Sequence, residues 1–142
     1  MSLSVKLAAY RKKYKYDTLL AEIKAILEKH PEAVKDANIA QMWKGKDSDN
    51  AEIVPRYTPF TKRLKRLKGQ PTDRVTLKDE GDFHRSVYVI FKANHLELWA
   101  KDRKTMKLSL KYGREIFGLT QDSIIELSNE IIAPELMKWF KP

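Results

Sequence analysis

The sequence contains no cysteine, only five glycines, and no apolar run of the roughly 18 residues that a membrane span needs. The absence of cysteine excludes disulfides, thiolate metal sites and cysteine nucleophiles, and it suits synthesis in a reducing cytoplasm. So few glycines leave little material for a phosphate-binding loop, and the motifs GxSxG and HExxH are also absent. The N-terminal residues lack the order of cations and apolar residues of an export signal, so none is expected.

What is present predicts one folded domain with an excess of positive charge. The chain has 142 residues, of which 42% are hydrophobic and 10% aromatic, and this argues for a buried core and against disorder. It carries 28 Lys and Arg against 19 Asp and Glu, a formal net charge of +9. Such a charge favours encounter with nucleic acid or an acidic protein surface, but a solvated basic face explains it equally well.

The cations are concentrated in two places. The first cluster is Arg11, Lys12, Lys13 and Lys15. The second lies in residues 56–74, called the basic segment below, where Asp73 is the only acid. The cations of the basic segment are Arg56, Lys62, Arg63, Lys65, Arg66, Lys68 and Arg74.

The first third of the chain predicts helices. A short helix is expected over residues 3–14, and a second begins after Asp17, a plausible N-cap. Pro31 ends the second helix, since the residue before a proline avoids the α region, and it begins a third that runs toward Trp43. The stretch GKDSDN, residues 45–50, then predicts a turn.

The middle of the chain predicts short strands around a long projection. Residues 53–57 and 74–77 each have the composition of a brief strand. Alternating apolar residues predict a β-hairpin with arms at residues 86–92 and 96–100. The basic segment is rich in proline, glycine and charge, so we expect an extended arm with one helical turn at residues 60–67.

The C-terminal part predicts further helix. Residues 104–111 fit either a third strand or a short helix. Thr120 is a good N-cap for a last helix, and Pro134 predicts a kink or a second helix there. Together the elements predict one domain over residues 1–142, in three parts: helices over 1–45, an extended basic arm over 53–78, and a β-hairpin followed by a C-terminal helix over 79–142.

The titratable residues give weak signals for chemistry. His30 precedes a proline and His95 lies in a predicted turn, and neither has a partner at metal-ligand spacing. His84 follows the acidic stretch 79–82, which could bind a cation, although a solvated turn before a strand is the favoured interpretation. Residues 47–52 resemble the opening of a calcium loop but lack its glycine and its late glutamate. We therefore predict no catalytic site, no metal and no cofactor.

The basic segment has two functional interpretations. Its cations could contact phosphates while Tyr57 and Phe60 stack on bases, as in nucleic-acid-binding proteins. Leu64 and Leu67 are three residues apart among cations, and this spacing also suits a short amphipathic helix that docks on a neighbouring protein. The residues alone leave both interpretations open.

One stretch resembles an element of the tail-completion proteins of tailed bacteriophages. That element, TG-x-L/F-x-x-S, leads into the main β-hairpin of the family. Gly81, Phe83 and Ser86 match it, whereas Glu80 stands where threonine is usual.

Two further stretches resemble the same family in the same order along the chain. One is PRYTPFTKRLKRLKGQPTDRVTLKDEGDFHRSV, and the other runs from Lys111 to Thr120. The resemblance spans roughly residues 38–140. The family positions in the second stretch are Tyr112, Gly113, Phe117 and Gly118.

The resemblance implies an α+β fold, with N-terminal helices, a small antiparallel sheet and a C-terminal helix packed on that sheet. It also implies a structural virion protein of the phage neck, a head–tail connector made in the host cytoplasm, with a tail-completion or tail-terminator role. The implied partners are further copies in a ring, often of six, the portal-side adaptor and other neck proteins, the tail tube, and DNA in the channel, with no membrane and no enzymatic activity. The alternative is a nucleic-acid-binding module. The expected contact residues are Arg56, Tyr57, Phe60, Lys62, Arg63, Lys65, Arg66, Lys68 and Arg74.

Overall fold

The computed structural model describes residues 4, 5, 7, 8 and 15–140. Residues 4, 5, 7 and 8 are helical, and the rest of the helix predicted over residues 3–14 lies outside the described residues. The elements that follow are α1 Tyr16–Lys29, α2 Pro31–Trp43, α3 Pro59–Leu67, α4 Asp82–Ser86, β1 Val87–Phe91, β2 Leu96–Ala100, α5 Thr105–Tyr112, a 3₁₀ turn Arg114–Ile116, α6 Gln121–Leu127, a π-helical turn Ser128–Ile132 and α7 Ala133–Phe140.

A mainly helical chain around a two-stranded antiparallel sheet is an α+β fold, so the predicted fold class is confirmed. One hydrophobic core joins residues from all three predicted parts of the chain. Its most deeply buried apolar side chains are Val34, Met42, Ile53, Val75, Val87 and Ile116.

The boundary between α1 and α2 is where Pro31 predicts it. His30 leaves the helical region, with φ −130° and ψ 51°, and Pro31 occupies the first turn of α2. The predicted N-cap of α1 is wrong, because the helix already begins at Tyr16. Asp17 instead lies in the first turn, where its charge favours the positive end of the helix dipole.

The predicted β-hairpin is confirmed. Val87 pairs with Ala100 and Phe91 pairs with Leu96 in an antiparallel register. The turn between the strands is closed by the Lys92 N–H, which donates to the His95 carbonyl at 2.8 Å. Helix α2 packs against β1, and α6 packs against α2. The C-terminal helices therefore rest on the N-terminal helices and face β2 across an apolar groove.

The two brief strands predicted beside the basic segment are not strands. Around residues 53–57 the chain forms only an isolated bridge between Lys46 and Glu52, and Pro55 has no N–H to continue a ladder. In residues 74–77 the backbone turns at Leu77, whose φ is 57°. Ile53, Val75 and Leu77 in these stretches are nevertheless buried, whereas Val54 is exposed, so composition predicted part of their burial but not their conformation.

The C-terminal elements have the conformations that their local sequence signals predict. The residues that fitted a third strand or a helix form α5, and the Thr120 hydroxyl caps α6 by accepting the Ser123 N–H at 3.1 Å. Pro134 has no N–H to give to the carbonyl of Glu130, and the helix widens into the π-helical turn just before α7. The predicted irregularity at Pro134 is confirmed. Within the described residues, no helix combines the length and the apolar character needed to cross a membrane.

Candidate docking surface

The helix predicted at residues 60–67 is confirmed as α3, Pro59–Leu67, but the basic segment around it is held against the domain and is not the extended arm that the sequence predicts. Helix α3 has nine residues. The Thr58 hydroxyl accepts the Thr61 N–H at 3.2 Å, and Pro59 occupies the first turn with its φ already suitable for a helix. The Thr58 cap and Pro59 therefore start a helix, although Gly69 and Pro71 in the same segment disfavour helix.

The inner side of α3 is fixed by a buried lysine. Lys65 is 8% exposed, and its ammonium donates to the Lys78 carbonyl at 2.6 Å and to the Gln70 side chain at 3.2 Å. The ammonium also lies 4.9 Å from the centre of the Tyr57 ring. The Tyr57 hydroxyl in turn accepts the Thr76 N–H at 3.0 Å. Two of the predicted contact residues, Lys65 and Tyr57, therefore hold the segment to its own domain.

Three more of the predicted contact cations have partners within the chain. Lys68 forms an ion pair with Asp79, and this hydrogen bond lowers the pKa of the Asp79 carboxyl. The Arg74 guanidinium donates to the Trp43 carbonyl at 2.7 Å and lies over the Trp43 indole. Arg56 pairs with Glu52 at 2.9 Å, although both side chains remain largely solvated. These contacts leave only part of the predicted cationic surface for a partner.

The outer side of α3 presents apolar side chains to solvent. Phe60, Leu64 and Leu67 fall on one helical face at positions i, i+4 and i+7, and they are 66%, 44% and 80% exposed. Arg63 lies on the same face at position i+3. We call Phe60, Arg63, Leu64 and Leu67 the outer face of α3.

The outer face contains the cation Arg63 and is flanked by Lys62 and Arg66. In the described part of the chain, no Asp or Glu pairs with Lys62, Arg63 or Arg66. The usual arrangement of an amphipathic helix is thus inverted, because α3 buries Lys65 and exposes its apolar stripe. Burying one such apolar side chain stabilises by about 1.5–3 kcal/mol. A protein surface that covers the exposed stripe would therefore gain binding free energy from each side chain that it buries.

The first group of motif residues forms the joint between α4 and the hairpin. Gly81 precedes α4 with φ 93°, in the left-handed region that favours glycine. Phe83 is buried and its ring lies 5.9 Å from that of Phe117. The Ser86 hydroxyl donates to the Phe83 carbonyl at 2.8 Å and accepts the Asp102 N–H at 3.1 Å. These residues position the hairpin, and Gly81 and Phe83 also line a cavity of about 380 Å³ beside it.

The second group of motif residues shapes the loop before α6. Tyr112 ends α5 and Gly113 follows it as the cap residue. The Phe117 ring lies 4.9 Å from that of Trp99 on β2, so the loop is packed onto the sheet. At Gly118, with φ 134°, a Cβ atom would lie 2.9 Å from the Cβ of Ser48, and only glycine fits without strain.

Sequence reasoning missed two polar residues of α2 that hold this loop. The Asn38 side chain donates to the Ile116 and Gly118 carbonyls at 3.0 and 2.8 Å. The Gln41 side chain donates to the Gly118 carbonyl at 2.9 Å and accepts the Thr120 N–H at 2.7 Å. Their spacing of three residues on one helical face is a signal, but polar residues at that spacing usually point to solvent.

The histidine that the sequence placed near acids is buried and not in a solvated turn. His84 is 6% exposed and its Nε2 donates to the Thr76 carbonyl at 2.9 Å, which fixes the proton on that nitrogen. Burial lowers the pKa of His84, and Lys78 and Lys65 lower it further. Two of the three acids before it pair with other residues, Asp82 with Arg85 and Asp79 with Lys68.

The candidate calcium loop is an ordinary turn. The Asp47 carboxylate accepts the N–H groups of Asp49 and Ala51, each at 2.9 Å, and so closes the turn at residues 45–50 that the sequence predicts. Across residues 15–140 and the described residues before them, no group of three or more His, Asp or Glu side chains could hold a metal ion.

Comparison of the chain with protein-family models, with curated proteins and with solved structures finds no match. The class of protein therefore has to be argued from the residues, the fold and the outer face of α3.

Proposed function

We propose that this protein is a structural component of a phage neck that assembles into a ring between the portal-side adaptor and the tail. The observation that carries the proposal is the outer face of α3, where three large apolar side chains are held in solvent on an anchored helix. Such a stripe serves no purpose in an isolated domain, because it forgoes the stabilisation of burial. A partner protein that covers the stripe recovers that free energy.

The motif residues support the choice of a phage neck protein among assembly proteins. The stretch with Gly81, Phe83 and Ser86 forms a short helix that leads directly into the hairpin, and the resemblance implies this arrangement. The loop with Gly113 and Gly118 then precedes a capped C-terminal helix. The order of the stretches along the chain and their local conformations agree with a tail-completion or tail-terminator role, in the virion and without enzymatic activity.

The self-assembly part of the proposal is tested with a matched pair of substitutions. Leu67→Glu places a charge on the outer face of α3, whereas Leu110→Glu changes a leucine of α5 with the same 80% exposure. We expect the wild-type protein and the Leu110 variant to form rings in electron micrographs, and the Leu67 variant to lose them while keeping its circular dichroism spectrum. A wild-type protein that stays monomeric at all concentrations and binds no neck protein contradicts the proposal.

The phage role has its own test, which needs only the genes beside the one that encodes this chain. We expect neighbours that encode portal, capsid and tail proteins. Neighbours without any virion gene contradict the neck assignment, whatever the oligomeric state turns out to be.

Nucleic-acid binding is the second candidate function, and the unpaired cations Lys62, Arg63 and Arg66 favour it. Three phosphate contacts release few counterions, so the logarithm of the binding constant should fall with the logarithm of salt concentration with a slope of only about −2 to −3. Reversing the charge of all three residues should abolish such binding. No retention of DNA or RNA at low salt excludes this candidate and leaves the neck proposal standing.

A further inference from the structure

The C-terminal helices carry charge opposite to the rest of the chain. Residues 121–140 contain Asp122, Glu126, Glu130 and Glu135 against the single cation Lys138, whereas the whole chain has a net charge of +9. Glu135 pairs with Lys138. In the part of the chain that the structure describes, no cation pairs with Asp122, Glu126 or Glu130.

Helix α6 combines this acidity with an exposed apolar residue. Asp122, Ile125 and Glu126 lie at positions i, i+3 and i+4 and therefore share one face, called the acidic face of α6 below. Ile125 is 47% exposed between the two carboxylates. Like charges at i and i+4 repel each other by roughly 0.2–0.5 kcal/mol in an isolated helix, and a cation placed between them removes that repulsion.

The outer face of α3 has the complementary pattern. There Arg63 lies among apolar side chains at the same helical spacing, with Lys62 and Arg66 beside it. No hydrogen bond or ion pair joins α3 to α6 among residues 15–140. The two surfaces therefore do not satisfy each other within one chain.

We propose that the outer face of α3 docks on the acidic face of α6 of a second copy of this chain. Arg63 enters between Asp122 and Glu126, and the leucines of α3 cover Ile125. The apolar groove between β2 and α6, lined by Trp99, Leu119 and Ile124 among others, adjoins this face and extends the apolar area that the second copy covers.

The two docking surfaces differ, so the contact is head-to-tail. A head-to-tail contact repeats from copy to copy and closes into a ring when its rotation permits. The inference rests on the proposed function, for which it supplies the interface. A single contact between two short helices is near the small end of specific interfaces, so its stability depends on closure of the ring.

Cross-linking tests the contact directly, because the chain has no native cysteine. Leu64→Cys and Ile125→Cys each place one thiol on one of the two faces. We expect the mixture of the two variants to form a covalent dimer on oxidation, and neither variant alone to do so. A disulfide needs Cβ atoms within about 4.5 Å, and a short bismaleimide reports the same contact at a longer range. Leu110→Cys, mixed with the Ile125 variant, is the matched control and should give no dimer.

Charge exchange tests the pairing of Arg63 with the carboxylates. Arg63→Glu and Glu126→Lys should each weaken self-association about tenfold or more, because like charges then face each other across the contact. The double variant restores opposite charges and should recover most of the lost association.

The outcomes separate this inference from the proposed function. If rings form but no cross-link joins positions 64 and 125, the head-to-tail contact between α3 and α6 is wrong and the proposed ring assembly still stands. Dimers of the Leu64 variant alone show that two α3 faces meet, and they also overturn the head-to-tail contact. A strictly monomeric wild-type protein overturns both.

Discussion

A single buried cation decides where the basic segment lies. Burying an ammonium group is unfavourable unless hydrogen bonds replace its water, and Lys65 obtains them from the Lys78 carbonyl and the Gln70 side chain. Its neighbour Arg63 points to solvent and needs no such partners. Two cations of one helix therefore have different roles: Lys65 stabilises the fold, and Arg63 is the residue that we propose for association.

Alanine substitution at these two positions should separate the roles. Lys65→Ala leaves the Lys78 carbonyl without its donor and should lower the free energy of unfolding by about 1–3 kcal/mol. Arg63→Ala is a surface change and should alter it by less than about 0.5 kcal/mol while weakening self-association. Urea unfolding followed by tryptophan fluorescence measures the first effect and sedimentation the second. Equal losses of stability in both variants contradict the anchoring role of Lys65.

The buried histidine should make stability depend on pH. Burial lowers the pKa of His84 in the folded state below its ordinary value of 6.5, so the unfolded chain takes up a proton first as the pH falls. The free energy of unfolding should therefore decrease as the pH falls from 6.5 toward the folded-state pKa. His84→Gln keeps a donor for the Thr76 carbonyl but cannot titrate, and should reduce this dependence.

The measurement for His84 is the urea midpoint at several pH values above about 5.5, one unit above the ordinary glutamate pKa of 4.5, where carboxyl titration contributes little. His95→Gln, which changes an exposed histidine in the hairpin turn, is the control. If the control loses the pH dependence and the His84 variant keeps it, the assignment to the buried residue is wrong.

At the scale of elements, α2 holds the loop that positions α6. Asn38 is fully buried, and its replacement by alanine removes the donor to the Ile116 carbonyl and one of the two donors to the Gly118 carbonyl. We expect Asn38→Ala to lower the free energy of unfolding by about 1–3 kcal/mol and to speed amide exchange in residues 116–120. Asn129→Ala, at an exposed asparagine, is the control. Unchanged exchange in the loop contradicts the role of Asn38.

Elements that depend on local signals could be predicted from the sequence. The alternation of β1 and β2, the break at Pro31 and the Thr120 cap each act within a few residues, and the structure has all three. The basic segment shows the limit of this reasoning. The helix at residues 60–67 is predicted correctly, but the breakers around it predict an extended arm, whereas tertiary contacts of Lys65 hold the segment against the domain.

The candidate site was predictable only in part, because the partners of its residues are distant in sequence. The spacing of Leu64 and Leu67 indicated an amphipathic helix, and the outer face agrees with it. Arg74 pairs with the adjacent Asp73 at 2.8 Å, and this acid is its one local difference from Arg66, but nothing local predicts that Arg74 binds the Trp43 carbonyl. For Lys65 and Arg74 the anchoring partners include backbone carbonyls that no sequence pattern marks.

At the scale of the whole molecule, charge both opposes and supports assembly. Every copy carries a net charge of +9, so copies repel each other at long range. Residues 56–74 and 121–140 have opposite signs, so the proposed contact is attractive at short range. The two effects differ in reach, because the Debye length falls from about 30 Å at 0.01 M salt to about 8 Å at 0.15 M and 3 Å at 1 M.

Self-association should therefore pass through a maximum near physiological ionic strength. Raising the salt concentration from about 0.01 to 0.15 M screens the net repulsion between copies while leaving the contact pairs at Arg63 largely intact. Raising it further to about 1 M screens those pairs as well, and assembly should weaken although its apolar part persists. Sedimentation velocity across this range measures the effect. In Arg63→Glu the short-range attraction is lost, so self-association of this variant should rise steadily with salt concentration. If the wild-type protein behaves in the same way, its contact is apolar and lacks the proposed ion pairs.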